Sequence, residues 1–282
     1  MKVCAACCIE LPRENFSKKQ WKLNKYQRRC TACIDADREC ILFDKALFKQ
    51  PPREQDCPIC FLRLPTLHTG QVYMSCCGKI ICSGCTHAVS EIDDDEKCPF
   101  CRAPAPNSDE VYRKKVVERV EVGDVHAMDQ LGCYYDEGRY GLPQDRDKAL
   151  ELWHRAGELG CTSAYCNIAL CYMNGEGVER NEKKAKHYYE LAAMGGDEVA
   201  RYNLGDLEKE AGNTDRALKH FMIAVGFGDG DSLKQIKQLF MKGHATKEEY
   251  AKSLRAFQSC MDEIRSDQRD KAAAFSDRYK YY

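Results

Sequence analysis

Small and apolar residues recur at a fixed interval through the second half of the chain, with charged positions between them. Ala127, Ala164 and Ala200 lie 37 and 36 residues apart, and other alanines and glycines follow at similar intervals. A period in this range with two helical patterns per unit is typical of stacked helix pairs. The pattern therefore predicts an α-solenoid.

Two positions in each unit define how its helices pack. One position is small in every unit and is predicted to let the paired helices approach closely; its residues are Gly132, Ala169 and Gly205. The other position is bulky and is predicted to fill the seam between helices; its residues are Trp153, Tyr189 and Phe221.

Helix ends are marked by glycine and by capping residues. Gly138 and Gly175 follow the first helical pattern of units one and two, where glycine supplies the positive φ of a helix end. Residues 108–122 are predicted to form a helix that caps the stack. Thr246 and Glu249 have the spacing of a capping box at the start of a later helix.

These units resemble the Sel1-like repeat, a relative of the tetratricopeptide repeat. The first copy matches at Ala127, Leu131, Gly132, Tyr135, Gly138, Lys148, Ala149, Trp153, Ala156 and Gly160. The second copy matches at Ala164, Tyr172, Gly175, Gly177, Ala185, Tyr189, Ala192 and Gly196. The resemblance covers residues 123–228, with a degenerate fourth unit to 258, and implies a surface that recruits protein partners.

Composition adds an expectation about location. Charged residues are 31% and hydrophobic residues 44% of the 282 positions, and the net charge is −1. No apolar run approaches the roughly 20 residues of a membrane helix, and the first eight residues lack a signal-peptide core. We therefore expect a cytoplasmic or nuclear protein with no membrane partner.

Cysteine is the exceptional residue. The chain has 19 cysteines, and 14 of them lie in residues 1–101. In a reducing compartment, cysteines in closely spaced pairs indicate metal ligands rather than disulfides. The N-terminal third is therefore predicted to depend on bound metal for its fold.

The first cysteine cluster pairs Cys4 with Cys7 and Cys30 with Cys33, each as Cys-x2-Cys. Four thiolates satisfy tetrahedral zinc. Cys8 is an alternative to Cys7 in this register. Cys40 lies in a helix predicted over Ala36–Phe48 and is predicted to be a buried apolar residue.

The segment between these pairs carries Leu11-Pro12, Phe16-Ser17-Lys18 and Arg28-Arg29. With the cysteines it resembles the Stc-1-type zinc finger over about 30 residues, which implies a protein-binding finger. The same stretch is basic and contains Trp21 and Tyr26, so nucleic-acid binding is an alternative. A solvated basic face on a small finger is the favoured interpretation.

Eight further cysteines form the second cluster, and they are enough for two four-ligand zinc sites. They are Cys57, Cys60, Cys76, Cys77, Cys82, Cys85, Cys98 and Cys101. The whole chain would then hold about three zinc ions.

The second cluster resembles a RING finger of the all-cysteine kind, through Cys57-Pro58-Ile59-Cys60, Cys82-Ser83-Gly84-Cys85 and Cys98-Pro99-Phe100-Cys101-Arg102. The resemblance implies interleaved ligands. Cys57, Cys60, Cys82 and Cys85 would hold one ion. Cys76, Cys77, Cys98 and Cys101 would hold the other.

One position departs from the usual RING pattern. Lys79 stands where most RING fingers have a histidine ligand, so the adjacent Cys76 and Cys77 would both have to bind. Gly78 is predicted to permit the turn that this needs. His68 or His87 is an alternative ligand in place of one of the pair.

The RING resemblance implies a ubiquitin ligase that docks a ubiquitin-conjugating enzyme carrying ubiquitin and orients it, with no nucleophile of its own. Ile59 and Pro99 match the apolar contact to the conjugating enzyme. Arg102 matches the linchpin position, whose guanidinium can bridge the enzyme and ubiquitin. The repeats would recruit a protein substrate or adaptor.

Two other function classes remain open. A zinc-dependent interaction scaffold without ligase activity is the main alternative, because of Lys79 and the Cys76-Cys77 pair. Binding of nucleic acid through the basic N-terminal finger is the other. A thiol enzyme is disfavoured, since the cysteines are paired at ligand spacing.

The predicted architecture is multidomain: two small zinc-stabilised modules followed by an all-α repeat solenoid. Residues 1–53 form a four-cysteine zinc finger plus linker helix, and residues 54–103 form the RING-type finger. Residues 104–122 form a Pro-rich spacer and capping helix, residues 123–258 the repeats, and residues 259–282 a C-terminal helix and tail. The last residues, from Arg278 on, are predicted to fray.

Overall fold

The computed structural model describes residues 1–4, 6, 9–23, 27–51, 56–65, 70–92 and 97–281. The chain forms two compact units, Met1–Lys49 and Gln50–Tyr282. The strands are β1 (Lys2–Val3), β2 (Glu10–Leu11), β3 (Gln71–Met74) and β4 (Lys79–Cys82). The helices are α1 (Lys18–Lys22), α2 (Thr31–Leu47), α3 (Ser83–Ser90), α4 (Asp109–Glu121), α5 (Val125–Glu137), α6 (Arg146–Glu158), α7 (Thr162–Asn174), α8 (Glu182–Gly195), α9 (Glu198–Glu210), α10 (Thr214–Val225), α11 (Gly230–Met241), α12 (Lys247–Ile264) and α13 (Asp267–Phe275).

The described residues of the N-terminal unit form only a small apolar core. Strands β1 and β2 pair antiparallel, and Phe16 packs beside Cys4 and Cys30. Helix α2 starts directly after Cys30, five residues before the predicted start at Ala36. The prediction that Cys40 is buried is wrong: Cys40 is exposed, because α2 buries only Leu47.

The second unit begins with a cysteine-rich module. Strands β3 and β4 form an antiparallel hairpin in which Val72 pairs with Ile81, and α3 follows β4 without a loop. The buried centre of this module consists of Leu64, Ile81 and three cysteine side chains. So small an apolar core contributes little stability, and the module needs another source of stability.

The repeats form antiparallel helix pairs, α5 with α6, α7 with α8 and α9 with α10, followed by α11 and α12. The solenoid prediction is confirmed. The bulky seam residues are all buried: Trp153, Tyr189 and Phe221. The capping box of Thr246 and Glu249 is present at the start of α12, and Gly138 and Gly175 end α5 and α7 at φ of 67° and 76°.

The close approach predicted at the small position is also observed. A Cβ at Gly205 would lie 2.4 Å from a ring carbon of Phe221, and a Cβ at Gly132 would lie 2.6 Å from the Trp153 indole nitrogen. Gly205 is therefore required by packing and not by backbone conformation.

We expect Gly205→Ala to lower the free energy of unfolding by about 1–3 kcal/mol, because the added methyl overpacks the α9–α10 seam. Ala169→Gly is the matched control, since unit two already accommodates a methyl at this position and should lose only about 1 kcal/mol of helix propensity. Thermal unfolding followed by far-UV circular dichroism measures both. A Gly205→Ala protein as stable as wild type would contradict the packing argument.

The prediction that the chain frays from Arg278 on is wrong for Tyr281, while Tyr282 lies outside the described residues. Helix α13 packs across α3, and Tyr281 is buried with its hydroxyl donating to the carboxylate of Asp270. The Ser83 hydroxyl donates to the backbone oxygen of Tyr279 at 3.2 Å. The Tyr279 ring packs against His87 of the cysteine-rich module, a contact between distant segments that a local sequence pattern does not reveal. No helix in the described ranges is both long enough and apolar enough to span a membrane.

Candidate metal and docking site

Two loops of the second unit have the same backbone geometry. In the first, the Cys57 amide donates to the oxygen of Leu62 and the Phe61 amide to the oxygen of Cys57. In the second, the Cys98 amide donates to Ala103 and the Arg102 amide to Cys98. We call Cys57–Leu62 the first knuckle and Cys98–Ala103 the second knuckle.

Each knuckle turns its two cysteines toward one point. The residue after the second cysteine has a positive φ in both, 57° at Phe61 and 60° at Arg102. An amide also points at a sulfur in each region, from Cys82 to the Cys57 Sγ and from Cys101 to the Cys98 Sγ, both at 3.5 Å. Such N–H···S contacts favour thiolates.

The structure groups the eight cysteines of this module into two sets, and within each set the Sγ atoms lie within 4.8 Å of one another. The first set is Cys57, Cys60, Cys82 and Cys85. The second set is Cys76, Cys77, Cys98 and Cys101. The sets interleave along the chain.

Sulfur–sulfur distances test whether an ion fits. Four sulfurs placed tetrahedrally about 2.3 Å from an ion lie about 3.8 Å from one another. The Cys60 and Cys82 Sγ atoms are 3.8 Å apart in the first set. The Cys77 and Cys98 Sγ atoms are 3.9 Å apart in the second set. Both clusters have the geometry to hold a metal ion.

Hydrogen bonds within the first set affect the pKa of one of its thiols. Hydrogen bonds from the side chains of Cys82 and Cys85 lower the pKa of the Cys57 thiol, which favours its thiolate. A thiolate is the form that binds metal.

The adjacent residues Cys76 and Cys77 both place their sulfurs in the second set. A tight turn over 75–78 joins β3 to β4, and Gly78 in that turn has φ of 71°, as expected for a glycine there. Lys79 is exposed and its ammonium lies 5.4 Å from the ring centre of Phe100. His87 packs against the rings of Phe275 and Tyr279 instead of joining a cysteine set. His68, the other alternative, lies outside the described residues.

A third group lies in the N-terminal unit. The Sγ atoms of Cys4, Cys30 and Cys33 lie within 4.8 Å of one another, and Cys4 and Cys33 are 3.8 Å apart. The Cys30 amide donates to the Cys4 Sγ at 3.2 Å. Cys7, the predicted fourth ligand, and its alternative Cys8 lie outside the described residues.

The predicted docking residues lie on or beside the two knuckles. Ile59 is half-buried in the first knuckle, Pro99 is half-buried in the second, and Arg102 is exposed at the end of the second. Phe61 occupies the first-knuckle position that Arg102 has in the second, and it is 78% exposed. Phe61 was not among the predicted docking residues, although the two Cys-Pro-x-Cys motifs align it with Arg102 in the sequence.

Two other large apolar side chains of the module are exposed. Phe100 of the second knuckle is 46% exposed, and Ile92, just after α3, is 86% exposed. Between α3, β3 and the second knuckle lies a cavity of about 280 Å³, bordered by Val72, Val89 and Pro99. The Pro-rich segment Ala103–Pro106 forms another wall of the cavity. Large exposed apolar side chains and an apolar cavity are each typical of a protein-binding surface.

The module is attached to helices from both ends of the repeats. The Tyr73 hydroxyl donates to the Asp124 carboxylate at 2.9 Å, and Arg119 pairs with the same carboxylate at 2.7 Å. Although burial acts to raise it, these hydrogen bonds leave the pKa of Asp124 below its usual range. At the other end, Arg63 pairs with Glu263 of α12 at 3.3 Å.

The basic strip of the N-terminal unit is partly used within the unit. Arg28 is buried and donates to the backbone oxygen of Leu23, and Arg29 pairs with Asp37. The Lys2 ammonium lies 4.6 Å from the ring centre of Trp21. These contacts reduce the number of cations and aromatic faces available to a nucleic acid.

Comparison with known proteins identifies the helical part. Residues 125–161 and 162–197 match the Sel1 repeat family, so the chain contains Sel1 repeats. These are the first two predicted copies. Neither cysteine-rich segment lies within the matched residues.

Similar proteins carry different functions in their names. Chitin synthase regulatory factor 4 of Schizosaccharomyces pombe is 28% identical over 127 residues, 45% of this chain and 20% of that protein. The ERAD-associated E3 ubiquitin-protein ligase component HRD3B of Arabidopsis thaliana is 33% identical over 103 residues, 36% of this chain and 16% of that protein. The matched regions therefore span a fifth or less of these two relatives.

Among solved structures, a Sel1 repeat protein from Oxalobacter formigenes is 25% identical with a TM-score of 0.47. The match covers 54% of this chain and 63% of that one.

Proposed function

We propose that this protein is a zinc-dependent, RING-type ubiquitin ligase that uses its helical repeats to recruit a protein substrate or adaptor. The observation that carries the proposal is the interleaving of the two four-cysteine sets. The first knuckle joins Cys82 and Cys85, while the second knuckle joins Cys76 and Cys77. Two ions bound in this manner would tie together a segment whose described residues form only a small apolar core.

Zinc is the ion proposed for all three clusters. Sets of four cysteine sulfurs in tetrahedral arrangement are typical of structural zinc sites with no open coordination position. The ions would supply folding free energy, and they would take no part in ubiquitin transfer. With Cys7 as the fourth ligand of the N-terminal cluster, the chain would hold about three.

Catalysis in this proposal is positioning. Ile59 and Pro99, with the exposed Phe61 and Phe100, offer apolar surface to a ubiquitin-conjugating enzyme. Arg102 projects from the end of the second knuckle, where its planar guanidinium can donate to two partners at once. Holding the thioester-linked ubiquitin in one orientation raises the rate at which a substrate amine reaches it.

The repeats supply the second binding surface. Sel1 repeats form stacked helix pairs, and such stacks present extended surfaces for protein partners. The relative named as a component of an E3 ubiquitin-protein ligase supports a place for such repeats in ubiquitin transfer. The contacts of Tyr73 and Arg63 with the helices would hold the knuckles at a set position relative to that surface.

The test is ubiquitin-chain formation in vitro with activating enzyme, ubiquitin and a panel of conjugating enzymes. We expect Arg102→Ala to lower the rate about tenfold or more, because loss of orientation of this kind costs up to about 100-fold. Replacement of Ile59 and Pro99 by alanine should also weaken binding of the conjugating enzyme. Arg180→Ala is the matched control, since Arg180 is an exposed arginine in the repeats.

Each result decides between two functions. Chains that form with wild type and with Arg180→Ala, but fade with Arg102→Ala, support the ligase. A zinc-loaded protein that forms no chains with any conjugating enzyme would instead favour the interaction scaffold.

A further inference from the structure

Helix α13 lies against the first four-cysteine set, although it is about 200 positions away in the sequence. It packs closely at Gly84, which lies between the ligands Cys82 and Cys85. A Cβ at Gly84 would lie 2.8 Å from the backbone nitrogen of Arg269. The glycine therefore allows the two helix backbones to touch at the metal site.

Arg269 is fully buried at this contact. One terminal nitrogen, Nη1, donates to the backbone oxygens of Arg63 at 2.8 Å and Ile264 at 2.6 Å. The other, Nη2, lies 3.8 Å from the Sγ of Cys60 and 3.5 Å from the oxygen of Leu62. The same guanidinium thus contacts the sulfur of Cys60 and the backbone oxygens of Leu62 and Arg63, which follow that cysteine in the sequence.

The charge of the proposed metal site explains why a buried arginine would be favourable beside it. Four thiolates around a divalent ion carry a net negative charge, and a charge in a buried site is costly unless an opposite charge is near. An N–H donor to a ligand sulfur also holds that ligand in its binding orientation. Such outer contacts tune metal affinity strongly.

We propose that Arg269 is a positioning residue of the first four-cysteine site, so that the C-terminal segment is required for metal retention there. This inference rests on the proposed metal sites and goes beyond the proposed function. Under this proposal the C-terminal segment belongs structurally to the cysteine-rich module, and α13 stabilises the first four-cysteine set rather than the second.

The experiment is a chelator pulse on the full-length zinc-loaded protein. EDTA is added together with N-ethylmaleimide, and peptide mass spectrometry measures how fast each cysteine is alkylated. In Arg269→Gln we expect Cys57, Cys60, Cys82 and Cys85 to be labelled roughly 10- to 100-fold faster than in wild type. The four cysteines of the second set should be labelled later than the first set.

Two variants control for charge and for folding. Lys271→Gln removes a positive charge from an exposed position of α13 and should leave labelling at the wild-type rate. Gly84→Ala keeps Arg269 and every ligand, but its methyl would displace α13. It should reproduce the order of labelling seen in Arg269→Gln, and it provides the test if Arg269→Gln does not fold.

The failures are distinguishable. Labelling of the first set at the wild-type rate in both Arg269→Gln and Gly84→Ala would overturn the role of Arg269 while leaving the metal sites intact. Equal acceleration of both sets would show general unfolding and would also overturn it. A wild-type protein that binds no zinc would refute the metal sites, and with them the proposed function.

Discussion

Replacement of Cys98 by serine is expected to remove the ion of the second four-cysteine set and to unfold the cysteine-rich module. Cys98 is buried and its Sγ lies 3.9 Å from that of Cys77. Metal binding contributes on the order of 10 kcal/mol in small zinc modules, far more than the buried Leu64 and Ile81 can supply. Loss of one ion should therefore exceed the remaining stability of residues 57–103.

The repeats should survive this change. The buried cluster around Trp153 and Ala156 is built from α4 to α7, and the cluster around Phe221 is built from later helices. Neither buried cluster includes a cysteine of the two four-ligand sets. Far-UV circular dichroism should thus keep most of its helical signal, while limited proteolysis should cut the module and release α13 from it.

The zinc content decides the outcome. Elemental analysis should find about three ions per wild-type chain and fewer in Cys98→Ser. Cys40→Ser is the matched control, because Cys40 is exposed on α2 and belongs to none of the clusters in the described residues. A Cys98→Ser protein that retains every ion and resists proteolysis like wild type would show that the module does not depend on this site.

Glu208→Gln is expected to be the most destabilising single change in the repeats that alters only charge. Glu208 of α9 is 1% exposed and accepts hydrogen bonds from Lys186 at 2.8 Å, Asn213 at 2.8 Å and Arg216 at 3.1 Å. Burial acts to raise its pKa, but these partners outweigh burial and lower the pKa to about 2 from 4.5. A shift of this size corresponds to about 3 kcal/mol.

At neutral pH, Glu208→Gln is expected to lower the free energy of unfolding by about 2–3 kcal/mol. The loss is no larger because Lys186 and Arg216 are partly exposed, so water can solvate them when glutamine replaces the carboxylate. The sign of the pH dependence follows from the lowered pKa. The stabilisation is complete above pH 4.5 and disappears as the pH falls through about 2. The difference in Tm between wild type and Glu208→Gln should therefore be large at pH 7 and shrink as the solution is acidified from pH 4.5.

Glu182→Gln is the control for this prediction. Glu182 pairs with Arg180 at 2.8 Å, but both side chains are mostly exposed, so the pair should contribute less than about 1 kcal/mol. If the two variants had equal Tm values at pH 7, the network around Glu208 would not stabilise the repeats.

Features that depend on nearby residues were predictable from the sequence. The repeat period, the small position at Gly132 and Gly205, the seam residues and the capping box of Thr246 are all observed. Each follows from helical spacing or from a hydrogen bond within a few residues, so the local pattern contains the cause. The closeness of two cysteines within one Cys-x2-Cys motif is likewise local. The joining of distant pairs into two sets is not local, and the expectation of interleaved sets came from the RING resemblance.

Contacts between distant segments were decided only by the tertiary structure. Arg269 looks like one of many helix-surface arginines, and it is buried because Gly84 lets α13 approach Cys60 and Leu62. Tyr281 is buried beside Gly70, although terminal residues usually fray. Cys40 is exposed although its sequence suggested a core position, because no described element covers that face of α2. Helical spacing and cysteine spacing thus determined the elements and the candidate ligand pairs, whereas burial depends on which surfaces meet after the chain has folded.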